Sequence, residues 1–216
     1  MVWSRVWGGV VLLGAFCPPP ARPADIEPLL TQELFAAPDQ RLDLLYGDPQ
    51  RAAPLAFVGM AREVASIVRQ EHVSVRWRYG GVAVGASDPD ATVVLVNTRH
   101  AAAAASAPVM AVTRRAGETR RGITVYVPSV ADALGLDLRH QARWSRDEAA
   151  GFSVALGRVV AHELFHALIP DLPHTDWGLM AERLSRADLL GTRVYLTPEY
   201  RGSLRPALLR RTTPSP

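Results

Sequence analysis

The sequence predicts a mixed α/β domain on three observations. A helical stretch precedes several short apolar runs of strand spacing, a long and almost wholly apolar helix follows them, and no segment repeats another. A chain of 216 residues that is 48% hydrophobic can bury a substantial core. The net charge of +3 is a small excess, and every cationic residue is Arg. The pairs Arg114-Arg115, Arg120-Arg121 and Arg210-Arg211 therefore read as composition bias on a solvated surface. No nucleic-acid partner is expected.

The elements follow in chain order. Residues 1–24 read as a cleaved signal peptide: Arg5 precedes an apolar stretch from Val6 to Phe16, and Pro18-Pro19-Pro20 and small residues lead to Ala24. Those 11 apolar residues fall short of the roughly 18 that span a bilayer. A secreted or periplasmic protein without a stable membrane span is expected. Its lone Cys17 would leave with the leader, which excludes disulfides and cysteine catalysis in the mature chain.

Residues 25–50 read as an N-terminal extension with a short helix over Ile26–Phe35. A strand at Leu42, Leu44 and Tyr46 ends in the turn cluster Gly47-Asp48-Pro49. The remaining chain, 51–216, is expected to be one domain. Leu55, Val58, Val64, Ile67 and Val68 recur at helical spacing between Pro54 and Gln70. Val73, Val75 and Trp77 alternate as a strand does, ending at Gly80-Gly81. Further strands are expected at Val93–Val96, Val109–Thr113 and Ile123–Val127. The Ala101–Ala105 run suits either a helical turn or a loop.

Ser145 and Glu148 have the spacing of a capping box and open a helix that should run to Ile169, before Pro170. From Gly151 onward only Ser153, Arg158, His162, Glu163 and His166 are strongly polar, so this helix is expected to be buried.

Two imidazoles and a carboxylate on a buried helix are costly without partners. His162-Glu163-Leu164-Phe165-His166 supplies a reason for them. At about 100° per residue the two histidines lie about 40° apart, one turn apart along the axis, so both can reach one ion. Glu163 falls on the adjoining flank, where it can hold water rather than metal. With 6 His in the chain, the pattern is expected by chance about 0.007 times, so composition does not explain it. A catalytic zinc ion takes three protein ligands. His174, eight residues past His166 and beyond Pro170 and Pro173, is favoured as the third because neutral imidazole suits Zn2+. Asp171 and Asp176 are rivals by proximity, and Glu182 would suit a carboxylate ligand from a later helix.

These residues, with the Gly178-Leu179-Met180 segment that follows, resemble the zinc helix and Met-turn of metzincin-type zinc metallopeptidases. The usual pattern has Gly at the place of Ile169 and a third ligand at the place of Leu172. The seven-residue gap before His174 is more similar to a group of exported bacterial proteins, which commonly carry Gly where Phe165 stands. The resemblance spans residues 54–205, including a helix start at Leu196-Thr197-Pro198-Glu199, and is specific over 158–180.

The resemblance implies a metzincin-like α/β (α+β) fold, with a mixed sheet packed on a buried zinc-binding helix and an edge strand aligning a peptide substrate. Ile123–Val127 is the candidate for that strand. It further implies Zn2+ on His162, His166 and His174, Glu163 as general base for hydrolysis of a peptide or protein by water, and Met180 beneath the metal. The alternative is a zinc-stabilised extracytoplasmic binding module in which Glu163 has no chemistry to perform.

Overall fold

The computed structural model describes residues 40–79, 88–100, 109–116, 120–169, 171–192, 194 and 196–212. The leader, the helix expected over 26–35 and the Ala101–Ala105 run lie outside the described residues. Five strands, β1 (Gln40–Gly47), β2 (Val73–Tyr79), β3 (Ala91–Val96), β4 (Ala111–Ala116) and β5 (Arg120–Tyr126), form one sheet in the order β2-β1-β3-β5-β4. The first three pairings are parallel, and β4 alone runs antiparallel, beside β5.

Period-2 burial shows which face of the sheet is packed. Leu42, Leu44 and Tyr46 of β1, Ala91, Val93 and Leu95 of β3, and Ile123 and Val125 of β5 are buried. Against the sheet lie α1 (Phe57–Arg69) and α3 (Arg146–Leu168), with the shorter α2 (Val127–Leu134), α4 (Arg186–Leu190) and α5 (Leu204–Thr212) around them. α1 and α3 cross closely because glycines stand at the crossing. A Cβ on Gly157 would lie 2.6 Å from Glu63 Cβ and 2.8 Å from the Met60 carbonyl oxygen, and one on Gly59 would lie 2.5 Å from Ser153 Cβ. No helix among the described residues is long and apolar enough to cross a membrane.

The capping box at Ser145 is present: Glu148 N–H donates to Ser145 Oγ at 3.1 Å and Ser145 N–H to Glu148 Oε2 at 2.7 Å. Beyond Gly151, α3 is buried nearly all round, as its composition predicts.

Four expectations need correction. β1 is an interior strand between β2 and β3, so the extension assigned to residues 25–50 already contains part of the folded domain. Leu55 is 85% exposed and Val58 half-buried, so the core stripe of α1 keeps the expected Val64, Ile67 and Val68 but is completed by Phe57 and Met60. The strand at 123–127 is not an edge, because β5 is paired on one side with β3 and on the other with β4. Finally, Pro198–Tyr200 forms a turn and the last helix starts at Leu204, where the buried Glu71 carboxylate accepts the N–H groups of Gly202 (2.9 Å) and Leu204 (3.3 Å).

Candidate metal centre

α3 carries His162 and His166 one turn apart, and the segment after it returns His174 to the same place. The Nε2 atoms of His162 and His166 are 3.2 Å apart, and those of His166 and His174 are 3.1 Å apart. Among the described residues this trio is the one group of His, Cys, Asp or Glu with metal-ligating proximity, and all its donor atoms lie within 4.8 Å of one another. Asp171, Asp176 and Glu182 are exposed and stand outside it.

The tautomer of His162 follows from its partner. Its Nδ1 is 2.7 Å from the Leu179 carbonyl oxygen, which can only accept, so Nδ1 carries the proton and Nε2 presents its lone pair. Burial lowers the His162 pKa, with the Leu179 carbonyl opposing and His174 adding to the effect. His166 is lowered to about 4 by burial, then by His162, His174 and Arg115. Neutral imidazoles are the form that binds metal. Lone pairs meeting at such short range suit one cation: donors about 2.0–2.1 Å from a tetrahedral zinc ion are about 3.3 Å from each other.

Two local devices hold the third histidine and the turn behind it. Tyr200 hydroxyl donates to the Pro173 carbonyl at 2.9 Å, so it anchors the residue before His174. Thr175 N–H donates to the Met180 carbonyl at 2.8 Å, which closes the loop across Trp177. That closure aims the Leu179 carbonyl at His162. Met180 is buried in this turn.

Glu163 lies beside the trio, half-buried under β4. Thr113 Oγ1 is 2.7 Å from its Oε2 and 3.0 Å from its backbone oxygen. Burial raises the carboxyl pKa, and the Thr113 hydrogen bond opposes that rise. Arg115, dismissed on composition, donates from Nη2 to the His166 carbonyl. No local pattern marks Thr113 or Arg115, which reach the site through sheet register, and spacing alone does not assign Tyr200, which reaches it through the path of the C-terminal segment.

No protein-family model matches the chain, and no curated protein does. A structural neighbour is the crystal structure of archaemetzincin from Methanopyrus kandleri, with a TM-score of 0.54 at 12% identity over 82% of this chain and 100% of the neighbour. The fold is thus metzincin-like: a mixed five-stranded sheet over a helix that bears the histidines.

Proposed function

We propose that this chain is an exported zinc-dependent peptidase, with His162, His166 and His174 as zinc ligands and Glu163 as general base. The observation that carries the reading is the convergence of three imidazole Nε2 atoms beside a half-buried carboxylate, under the open edge of a sheet. Zinc bound there would supply Lewis acidity toward a carbonyl and toward water near neutral pH.

The chain's own residues supply the rest. Glu163, with one oxygen held by Thr113, takes a proton from the attacking water and returns it to the leaving amine. Leu179 fixes the His162 ring through its carbonyl, and Met180 forms the packed floor behind that turn. Among the described residues no strand lies beyond β4, and an extended peptide or protein segment can add to that edge as a further strand. Export rests on the leader at residues 1–24. A zinc-stabilised binding module would need neither an open edge at the site nor a carboxylate beside the first ligand.

Glu163→Gln separates the two readings. It is expected to fold and to hold zinc as the wild type does, because the amide keeps the shape of the side chain. Cleavage of a mixed peptide library should fall by about 10²–10⁴-fold, the usual contribution of a positioned acid–base group. Undiminished cleavage by this variant overturns the mechanism. Wild-type protein that holds zinc and cleaves nothing overturns the peptidase reading.

A further inference from the structure

The β4–β5 ladder determines what the open edge offers. Tyr126 N–H donates to the Met110 carbonyl at 2.8 Å, and these two residues extend the register Ala111↔Val125 by one step. Antiparallel pairs alternate between hydrogen-bonded and non-hydrogen-bonded. The bonded pairs are therefore Met110–Tyr126, Val112–Thr124 and Arg114–Gly122. Ala111, Thr113 and Arg115 fall in the other class, and their N–H and C=O groups point away from β5, to the side on which no strand among the described residues pairs with β4. Side chains alternate with the same period, so these three also share the face that meets α3, as the contacts of Thr113 and Arg115 show.

Thr113 is thus at the crossing of two directions. Its backbone faces the open edge, and its side chain ends on the Glu163 carboxylate. A threonine hydroxyl has one proton to donate, and with Oε2 at 2.7 Å and the Glu163 backbone oxygen at 3.0 Å the charged, nearer acceptor is favoured. Among the described residues no hydrogen bond engages Oε1. The β-branched side chain has few rotamers in a strand, so the hydroxyl is held where the backbone puts it.

We propose that Thr113 is a positioning residue that couples substrate alignment to the general base: a peptide strand joined to its backbone is held by the same residue that orients Glu163. The inference rests on the peptidase reading and adds to it the residue that sets the base in register with the substrate. Arg115 has a different part. It ties β4 to the C-terminal end of α3 through the His166 carbonyl and touches no carboxylate of the site.

The test compares the full-length wild type with Thr113→Val, Thr113→Ser and Thr113→Ala. Valine keeps the branched shape and the backbone and removes only the hydroxyl. Zinc content and the KM for a cleaved peptide should stay at the wild-type level. The kcat should fall by about 10-fold or more, as expected for losing a hydrogen bond to a charged group. Thr113→Ser should recover most of that loss and Thr113→Ala should not, and the alanine variant answers the question if the valine variant fails to fold.

Crystal structures of the wild type and the hydroxyl-free variant give a readout independent of turnover. The Glu163 carboxylate should leave its place, or spread over several rotamers, only where the hydroxyl is missing. A wild-type kcat in Thr113→Val, a raised KM with unchanged kcat, or an unmoved carboxylate overturns the proposal. A wild type that cleaves no peptide overturns the peptidase reading instead, and the carboxylate position still decides the role of Thr113.

Discussion

Arg158 and His162 lie four residues apart on one face of α3, and both are buried, at 3% and 7% exposure. They use their hydrogen-bonding capacity in opposite ways. Arg158 donates from Nε to Glu63 at 2.8 Å, from Nη1 to the Asp188 carbonyl at 2.6 Å and from Nη2 to the Gly191 carbonyl at 2.6 Å. Every nitrogen has a partner, and together they tie α3 to α1 and to the middle and C-cap of α4. His162 has a partner only at Nδ1, and its other nitrogen converges on two further imidazoles. A buried polar group with all valences matched is a structural joint. One with a lone pair left over and aimed at its own kind marks a binding site.

The largest expected effect comes from breaking the joint. Arg158→Met keeps much of the side-chain volume but strands the Glu63 carboxylate and two backbone carbonyls. Removing one partner of a buried ion pair costs about 3–5 kcal/mol, and the lower end applies because the Glu63 side chain is 19% exposed and can hydrate. Denaturant unfolding should report that loss, while zinc stoichiometry of the folded fraction stays at the wild-type value. If stability does not change, the distinction between joint and site is wrong.

His174→Ala should do the reverse. The residue is exposed, and nothing structural rests on it beyond the trio itself, so unfolding of the metal-free protein should shift by no more than about 0.5 kcal/mol. Zinc affinity should fall by more than about 100-fold, above the range of changes that act on a ligand indirectly. Competition with a chromophoric chelator measures it. Retained affinity in this variant, with loss in Glu182→Ala, would transfer the third position to the carboxylate.

What the sequence revealed divides along a related line, between local and register-borne information. The start and burial of α3 and the alignment of His162 with His166 follow from cap, composition and helical period, all within 25 residues. His174 was within reach because it is on the segment that leaves the helix. Thr113 is 50 residues from Glu163, and no local pattern says that β4 passes over it. Strand order was hidden for the same reason: two adjacent strand-like runs do not reveal which is outermost until β3 is known to pair with β5.

Other misses had usable signals. Asp48-Pro49 reads as a boundary, yet the Asp48 carboxylate accepts from the Ala52 and Ala53 N–H groups and starts the turn into α1. α2 was concealed by a strand extended to Val127. Pro128 in its first turn and Gly135 at φ 71° just past its end are the expected punctuation of a helix.

The smallest effect belongs to the other end of α3, far from both residues compared. Ser145 caps the helix, and Ser145→Ala removes the acceptor for the Glu148 N–H, which costs about 1 kcal/mol in comparable caps. In a chain of this size that corresponds to a melting shift of about 2–4 °C. The reciprocal bonds from Ser145, first from its backbone N–H and then from its side chain, hold the Glu148 carboxyl below its ordinary 4.5. A depressed carboxyl contributes stability above its unfolded pKa, and that contribution disappears as the pH falls through the folded value. The gap between wild type and Ser145→Ala should therefore be full at neutral pH and narrow on acidification below about 4.5. Zinc content should not change, since the cap is more than four turns from His162. A melting shift that came with loss of zinc would mean that the cap and the site are not energetically separate, and the contrast drawn along α3 would then extend to its first turn.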